Sequence, residues 1–266
     1  MTTANGYAAS LQPISPETIH TAADGLVAGD VDIAGFDGFT LPAYRAMPDG
    51  AGPFPLVLVV QEIFGLHEYI KDVCRRIAKH GYVAVAAQTF ARAGDPAVLT
   101  DIGEIRPIVN ATPDATTMAD LDACVDWAVA TSNVDPDKVG ITGFCWGGRA
   151  VWLYAAHSDR LKAGVAWYGR LDGDHAANQP AWPLDVARHL KAPVLGLYGG
   201  QDGSIPADVI SRMEDELAVV DSPSEIVVYP DAGHGFHADY RSAYRPVDAL
   251  DGERRLFEWL SRHGVA

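Results

Sequence analysis

Six continuous apolar runs, separated by segments of helical periodicity, constrain this chain more than any other feature. The runs are "LVLVVQE", "YVAVAA", "KVGIT", "KAGVAWY", "PVLGLYG" and "EIVVYP". None alternates apolar with polar residues, so each reads as a strand covered on both faces, as strands of parallel sheets are. Between the first two lies "EYIKDVCRRIAKHG", with Tyr69, Ile70, Val73 and Ile77 at helical spacing. It closes on Lys79, His80 and Gly81, a helix stop signal. "DATTMADLDACVDWAVA", with Asp114 near its start, "GGRAVWLYAAH", "PADVISRMEDELAVV" and "DALDGERRLFEWLSRHG" read as further helices. Such alternation calls for an α/β fold, a mostly parallel central sheet with helices on both faces. Ahead of it, "GLVAGDVDIAG" and "FTLPAYRAMP" alternate enough to form an N-terminal β-hairpin. Residues 1–25 read as a loosely held arm, with a short helix in "SPETIHTAADGL". Residues 26–266 read as one domain, a size that single α/β domains often reach.

Composition narrows the partners. A formal charge of −15 repels phosphate backbones and argues against nucleic acid. The start, "MTTANGYAASLQPISPETIH", has no basic segment followed by an apolar core, so no secretory signal is expected. The most apolar run, "FPLVLVVQEIFGL", is too short to span a bilayer, so no membrane role is expected either. Cys74, Cys124 and Cys145 form neither a disulfide framework nor a metal knuckle, and a reducing cytoplasm is the expected compartment. Cys74 and Cys124 lie among apolar neighbours in helices and read as packing residues.

In sheets of this kind ligands gather at the carboxyl ends of the strands. Glu62 and Ile63 follow the first buried run, Arg92 the second, Cys145 the third, Asp202 the fifth and His234 the sixth. Nucleophile, acid and histidine thus share one edge. "Gly143-Phe144-Cys145-Trp146-Gly147" has the form G-x-nucleophile-x-G, the nucleophile elbow of α/β-hydrolases with Cys in place of Ser. The sharp corner lifts the sulfur to the sheet rim and sets it at a helix N-terminus, where an anion is favoured. Backbone N–H groups of Trp146 and Ile63 are the expected oxyanion hole. Blander readings stand beside these. Asp202 followed by glycine suits a turn, Glu62 suits a surface cap, and Arg92 suits an ion pair as well as a substrate anchor. Trp167 and Tyr168 suit an aromatic pocket or the core, Tyr69 opens a helix beside the expected pocket, and His237 reads as an exposed loop residue. His234 and His237 have no neighbouring carboxylate or thiol to complete a metal site.

"QEIFGLHEYIKDVCRRIAKHGYVAVAA", "GFCWGG", "VAWYG", "LGLYGGQD" and "YPDAGHGF" together resemble the dienelactone hydrolases, or carboxymethylenebutenolidases, across about residues 25–262. The resemblance implies an α/β-hydrolase fold and a Cys145–His234–Asp202 triad acting on a small enol-lactone or carboxylic ester without metal or cofactor. It implies that Glu62 bonds the resting thiol and that Arg92 holds a substrate carboxylate; Tyr69 and Trp167 are further candidates for substrate contact. The family's second carboxylate-binding arginine falls at Ala238, so Arg241 or Arg245 would have to replace it. That departure keeps a general esterase or thioesterase open as an alternative, and a non-catalytic thiol sensor or ligand-binding protein is the reading from another class.

Overall fold

The computed structural model describes residues 18–266.

 The expected hairpin is β1 (Leu26–Ala34) and β2 (Thr40–Pro48), antiparallel, with Leu26 opposite Pro48 and Ala34 opposite Thr40. There follow β3 (Phe54–Val60), α1 (Glu68–Lys79), β4 (Val83–Ala87), α2 (Ile102–Ala111), α3 (Asp114–Thr131), β5 (Val134–Phe144) and α4 (Trp146–His157). The chain closes with β6 (Leu161–Trp167), β7 (Val194–Gly199), α5 (Ala207–Val219), β8 (Glu225–Tyr229) and α6 (Pro246–Arg262).

The strands form one sheet in the order β1-β2-β4-β3-β5-β6-β7-β8. β2 is antiparallel to both its neighbours, and every other pairing is parallel. β3 and β4 carry the apolar runs at the centre, and Leu56 to Val60 are at most 2% exposed. Residues pointing to both faces of a strand are buried together only when both faces are covered. Glycines of β5 show by what. A Cβ on Gly140 would meet Leu260 of α6, whereas one on Gly143 would meet Val151 of α4. Residues three apart on a strand face opposite ways, so α6 and α4 lie on opposite faces. α1 joins α6: His80 stacks on Phe257 at 3.8 Å between ring centres, and Arg76 Nη1 reaches Glu253 at 3.1 Å. α3 joins α4 through Arg149 and Asp114.

The chain leaves β3 toward β4 and then returns across β3 to β5, so the winding direction reverses between β3 and β5. Crevices form at such reversals, outside the carboxyl ends of the strands. This is the topology of an α/β-hydrolase, and it places the residues after β3 and after β5 side by side.

Three features differ from the sequence reading. The helix expected over 15–26 lies partly outside the described residues, and residues 18–23 form no regular element. They are nevertheless tied to α1, since Thr21 N donates to Asp72 Oδ1 at 2.6 Å and Arg75 Nε donates to the Thr21 carbonyl at 2.8 Å. α2 was not expected. Pro107 lies inside it and removes a backbone donor, which normally argues against a helix. Asp101 caps its start by accepting from Gly103 N, and buried Ile105 and Val109 anchor it. Finally, β5 starts at Val134, several residues before the "KVGIT" run. Among the described residues no helix is long and apolar enough to cross a membrane.

Candidate active site

Cys145 stands alone between the end of β5 and the start of α4, with φ 54° and ψ −112°. A non-glycine residue there is strained by about 1–3 kcal/mol and persists only where its surroundings hold it. Here Cys145 N donates to the Trp167 carbonyl at 2.9 Å, and the Cys145 carbonyl accepts from Arg149 N at 3.2 Å. The flanking glycines make room. A Cβ on Gly147 would sit 2.3 Å from the Val60 carbonyl oxygen, and one on Gly143 would sit 2.4 Å from the Gly147 carbonyl oxygen. α4 can therefore approach the ends of β3 and β5 only through backbone. The thiol is partly exposed, unlike those of Cys74 and Cys124, which are buried as packing residues and whose pKa values burial pushes up.

A cavity of about 720 Å³ opens over this corner, and Cys145, His234, Asp202, Ser204, Ile63 and Trp146 line one part of it. His234 Nδ1 lies 2.7 Å from Asp202 Oδ2. Ser204 donates to the other oxygen, Oδ1, through its hydroxyl at 2.6 Å and its backbone N–H at 2.9 Å. Burial alone would lower the pKa of His234. The charge of Cys145, the hydrogen bond to Asp202, and hydrogen bonding to Cys145 outweigh it and raise the value to about 10. Burial would raise that of Asp202, but the His234 and Ser204 hydrogen bonds hold it below the ordinary carboxylate value. So Asp202 is no mere turn former: it is buried and faces the imidazole.

Ile63 and Trp146 both line the cavity, and among the described residues neither backbone N–H donates to a protein acceptor. Glu62 is fully buried rather than a surface cap. Its Oε2 accepts from the Tyr240 hydroxyl at 2.6 Å, and its Oε1 has no hydrogen-bond partner. The bond expected between Glu62 and the resting thiol is therefore absent from this arrangement. Arg241 Nη1 stands 3.7 Å from Glu62 Oε1 and lines the cavity. Arg245 turns away to Asp248 at 2.6 Å, so of the two arginines only Arg241 reaches the site.

Three expected substrate contacts are not brought to the cavity. Arg92 forks onto Asp120 and Asp37 and lies over the Phe39 ring, which makes it a structural ion pair. The Tyr69 hydroxyl is buried against His237 Nδ1 at 2.6 Å. Trp167 is fully buried, its indole N–H donating to Thr142 Oγ1 at 3.0 Å, so core packing accounts for it. His237 is likewise not an exposed loop residue: it is 2% exposed and its Nε2 lies 2.9 Å from Glu253. The cavity instead gathers Arg106 from α2, Arg149 from α4, and Arg170 and Trp182 from the connection after β6. Sequence reasoning missed them, along with Ser204 and Tyr240. Only Ser204 carried a local signal, standing two residues after Asp202 in a turn. No group of His, Cys, Asp and Glu suited to a metal ion occurs among the described residues.

A family model for the dienelactone hydrolases matches residues 41–264. The chain belongs to the dienelactone hydrolase family. A protein of Methylorubrum extorquens named "Putative carboxymethylenebutenolidase" is 56% identical over 265 residues, covering 99% of this chain and 91% of its own. One of Escherichia coli K12 with the same name is 47% identical, covering 98% of this chain and 96% of its own. A crystal structure titled as a "Putative Dienelactone Hydrolase" of Klebsiella pneumoniae superposes with a TM-score of 0.86 at 49% identity, covering 89% of this chain and 98% of that one. The protein is thus a hydrolase of the carboxymethylenebutenolidase kind, and the family implies a small-molecule lactone substrate.

Proposed function

We propose that this hydrolase opens a small enol-lactone, or cleaves a related carboxylic ester, through a covalent thioester on Cys145, with His234 as acid and base and Asp202 as its orienting partner. The observation that carries the reading is His234 bonded to the Asp202 carboxylate at 2.7 Å and lining the same cavity as Cys145, with its imidazolium favoured by both. An imidazolium beside the sulfur favours the thiolate, the form of cysteine that attacks.

The thiolate of Cys145 adds to the lactone or ester carbonyl carbon. The oxygen takes the electron pair and is met by the N–H groups of Ile63 and Trp146, a placement that supports them as the oxyanion hole. Collapse reforms the carbonyl and breaks the bond to the leaving oxygen, which takes the proton of His234. The product of this half is a thioester and, for a lactone, the tethered enol or its keto form. Neutral His234 then removes a proton from water, whose oxygen adds to the thioester carbonyl; collapse expels the Cys145 thiolate and leaves the carboxylic acid. Asp202 engages Nδ1 of the imidazole, which leaves Nε2 as the nitrogen that exchanges protons in these steps. None of these steps calls on a metal or an organic cofactor.

Glu62 acts in this reading as a gate. Its carboxylate competes with any substrate anion for Arg241, so substrate binding would shift Glu62 and change the field at the thiol. Glu62→Gln is expected to alter the rate of Cys145 alkylation by iodoacetamide, and an unaltered rate counts against the gate.

A second reading, an esterase or thioesterase outside lactone chemistry, is favoured by one observation. The two positions that would match the family's carboxylate clamp are Ala238 and an Arg92 committed to Asp37 and Asp120. Comparing turnover of dienelactone and 4-nitrophenyl acetate separates the readings. Lactone preference supports the first, ester preference the second. If neither is turned over by wild type, both fail and the thiol-sensor reading gains.

A further inference from the structure

The geometry points to a second function for the cavity wall built by α2 and the segment 178–182: an anion-binding subsite that selects esters or lactones carrying a remote carboxylate or phosphate. This deepens the reading of Cys145 as nucleophile and rests on it for the reacting end of the substrate.

The wall is assembled by contacts remote from the triad. Asn178 Nδ2 donates to the Asn110 carbonyl at 2.7 Å, and Gln179 Nε2 donates to the carbonyls of Val109 and Thr112 at 3.2 and 3.1 Å. These bonds pin the segment to the end of α2, whose Arg106 lines the same cavity as Arg170 and Cys145.

Charge is the first argument. Arginines elsewhere on this acidic chain are typically paired, as Arg75, Arg188 and Arg254 are. Arg106 and Arg170 form no ion pair with a carboxylate among the described residues, although the chain has a formal charge of −15 and carboxylates are abundant. Arg149, between them and the elbow, is neutralised by Asp114 through bonds of 2.7 and 2.8 Å and so adds little free charge. Two uncompensated guanidinium groups facing one concavity attract an anion, and their planar forks suit carboxylate and phosphate oxygens.

Accessibility is the second argument: Arg106 and Arg170 are both exposed, so their guanidinium groups are open to a ligand in the cavity they line. Order is the third. Trp182 has the Arg149 guanidinium over its ring at 4.6 Å and that of Arg170 at 5.2 Å. The stack restrains Arg170 without using up its N–H donors. Volume agrees: about 720 Å³ lies in the range of roughly 300–1,000 Å³ that holds drug-sized ligands, more than a five-membered lactone fills.

The test compares 4-nitrophenyl monoesters of dicarboxylic acids of increasing length with neutral 4-nitrophenyl esters of equal length, and includes an ester with a terminal phosphate. Wild type is expected to prefer the anionic esters at least about tenfold in kcat/KM, with an optimum in tail length. In Arg106→Gln/Arg170→Gln that preference is expected to fall about tenfold or more, chiefly through KM. A tail preference that is absent in wild type, or equal in wild type and the double variant, overturns the subsite. The larger preference between carboxylate and phosphate tails tells which anion the wall is built for. Binding is read separately by calorimetry of the best anionic ester on Cys145→Ala, with and without the two arginine substitutions. The Kd is expected to weaken about tenfold without the arginines, and an equal Kd overturns the subsite. A wild type that hydrolyses no ester refutes the nucleophile reading alone, and the calorimetry still decides the subsite.

Discussion

Ser204 donates to the Asp202 oxygen that His234 leaves free, at 2.6 Å, so the carboxylate is held from both sides while it orients the imidazole. A carboxylate fixed in this way raises the pKa of the histidine it faces. Burial opposes the rise, but the charge of Cys145 and then the bond to Asp202 outweigh it, and the pKa of His234 moves from 6.5 to about 10. Between those values the folded protein keeps a proton that the unfolded chain has lost. The stability this confers is complete below pH 6.5 and is lost as pH rises through about 10. In kcat/KM the alkaline limb is expected near the same upper value. Asp202→Asn removes one anion, so the limb should move to lower pH, with kcat down by roughly 10²–10⁴-fold. A pH–rate profile between 6 and 11 reads both; an unmoved limb contradicts the assignment.

Gly147 has a purely geometric duty. With the Val60 carbonyl oxygen 2.3 Å from where its Cβ would be, Gly147→Ala must push α4 away from β3. A cost of about 1–3 kcal/mol is expected from such overpacking. Thermal unfolding should shift down by several degrees, and turnover should fall further than stability explains, because the Trp146 N–H moves with the helix.

The Arg149–Asp114 pair joins α4 to α3 and is largely buried. Asp114→Ala leaves a buried guanidinium uncompensated, for which about 3–5 kcal/mol of destabilisation is expected. Asp114→Ala/Arg149→Met removes both charges and should recover much of that loss. Denaturant unfolding of the two variants decides, and equal losses contradict the account.

The alternation of strands and helices and the elbow were legible because their signals are local. Buried parallel strands must be continuously apolar, as Leu56 to Val60 are, and a corner this tight must be flanked by Gly143 and Gly147. Order along the chain then brings Asp202 and His234 to the rim that Cys145 occupies. Arginines carry no such signal. Whether Arg92 faces a ligand depends on Asp120, which lies on a helix well along the chain and receives it as an ion pair. Arg106 was invisible because Pro107 disguised its helix, and Arg170 because its partner Trp182 lies across an irregular connection.

Arg92 gives a direct check of that lesson. Arg92→Met unpairs Asp120, which is fully buried, so stability should drop by about 3–5 kcal/mol. Values of kcat and KM for ester substrates should stay within about twofold of wild type at temperatures where the variant is folded. A large rise in KM confined to anionic substrates would return Arg92 to the substrate.

The most direct test of the central claim is peptide mapping by mass spectrometry after rapid acid quench of wild type with a 4-nitrophenyl ester. The account predicts an acyl group on Cys145 that appears with the burst of nitrophenolate and is absent from Cys145→Ala, which should be inactive. An acyl group on another residue, or wild-type turnover by Cys145→Ala, would contradict it.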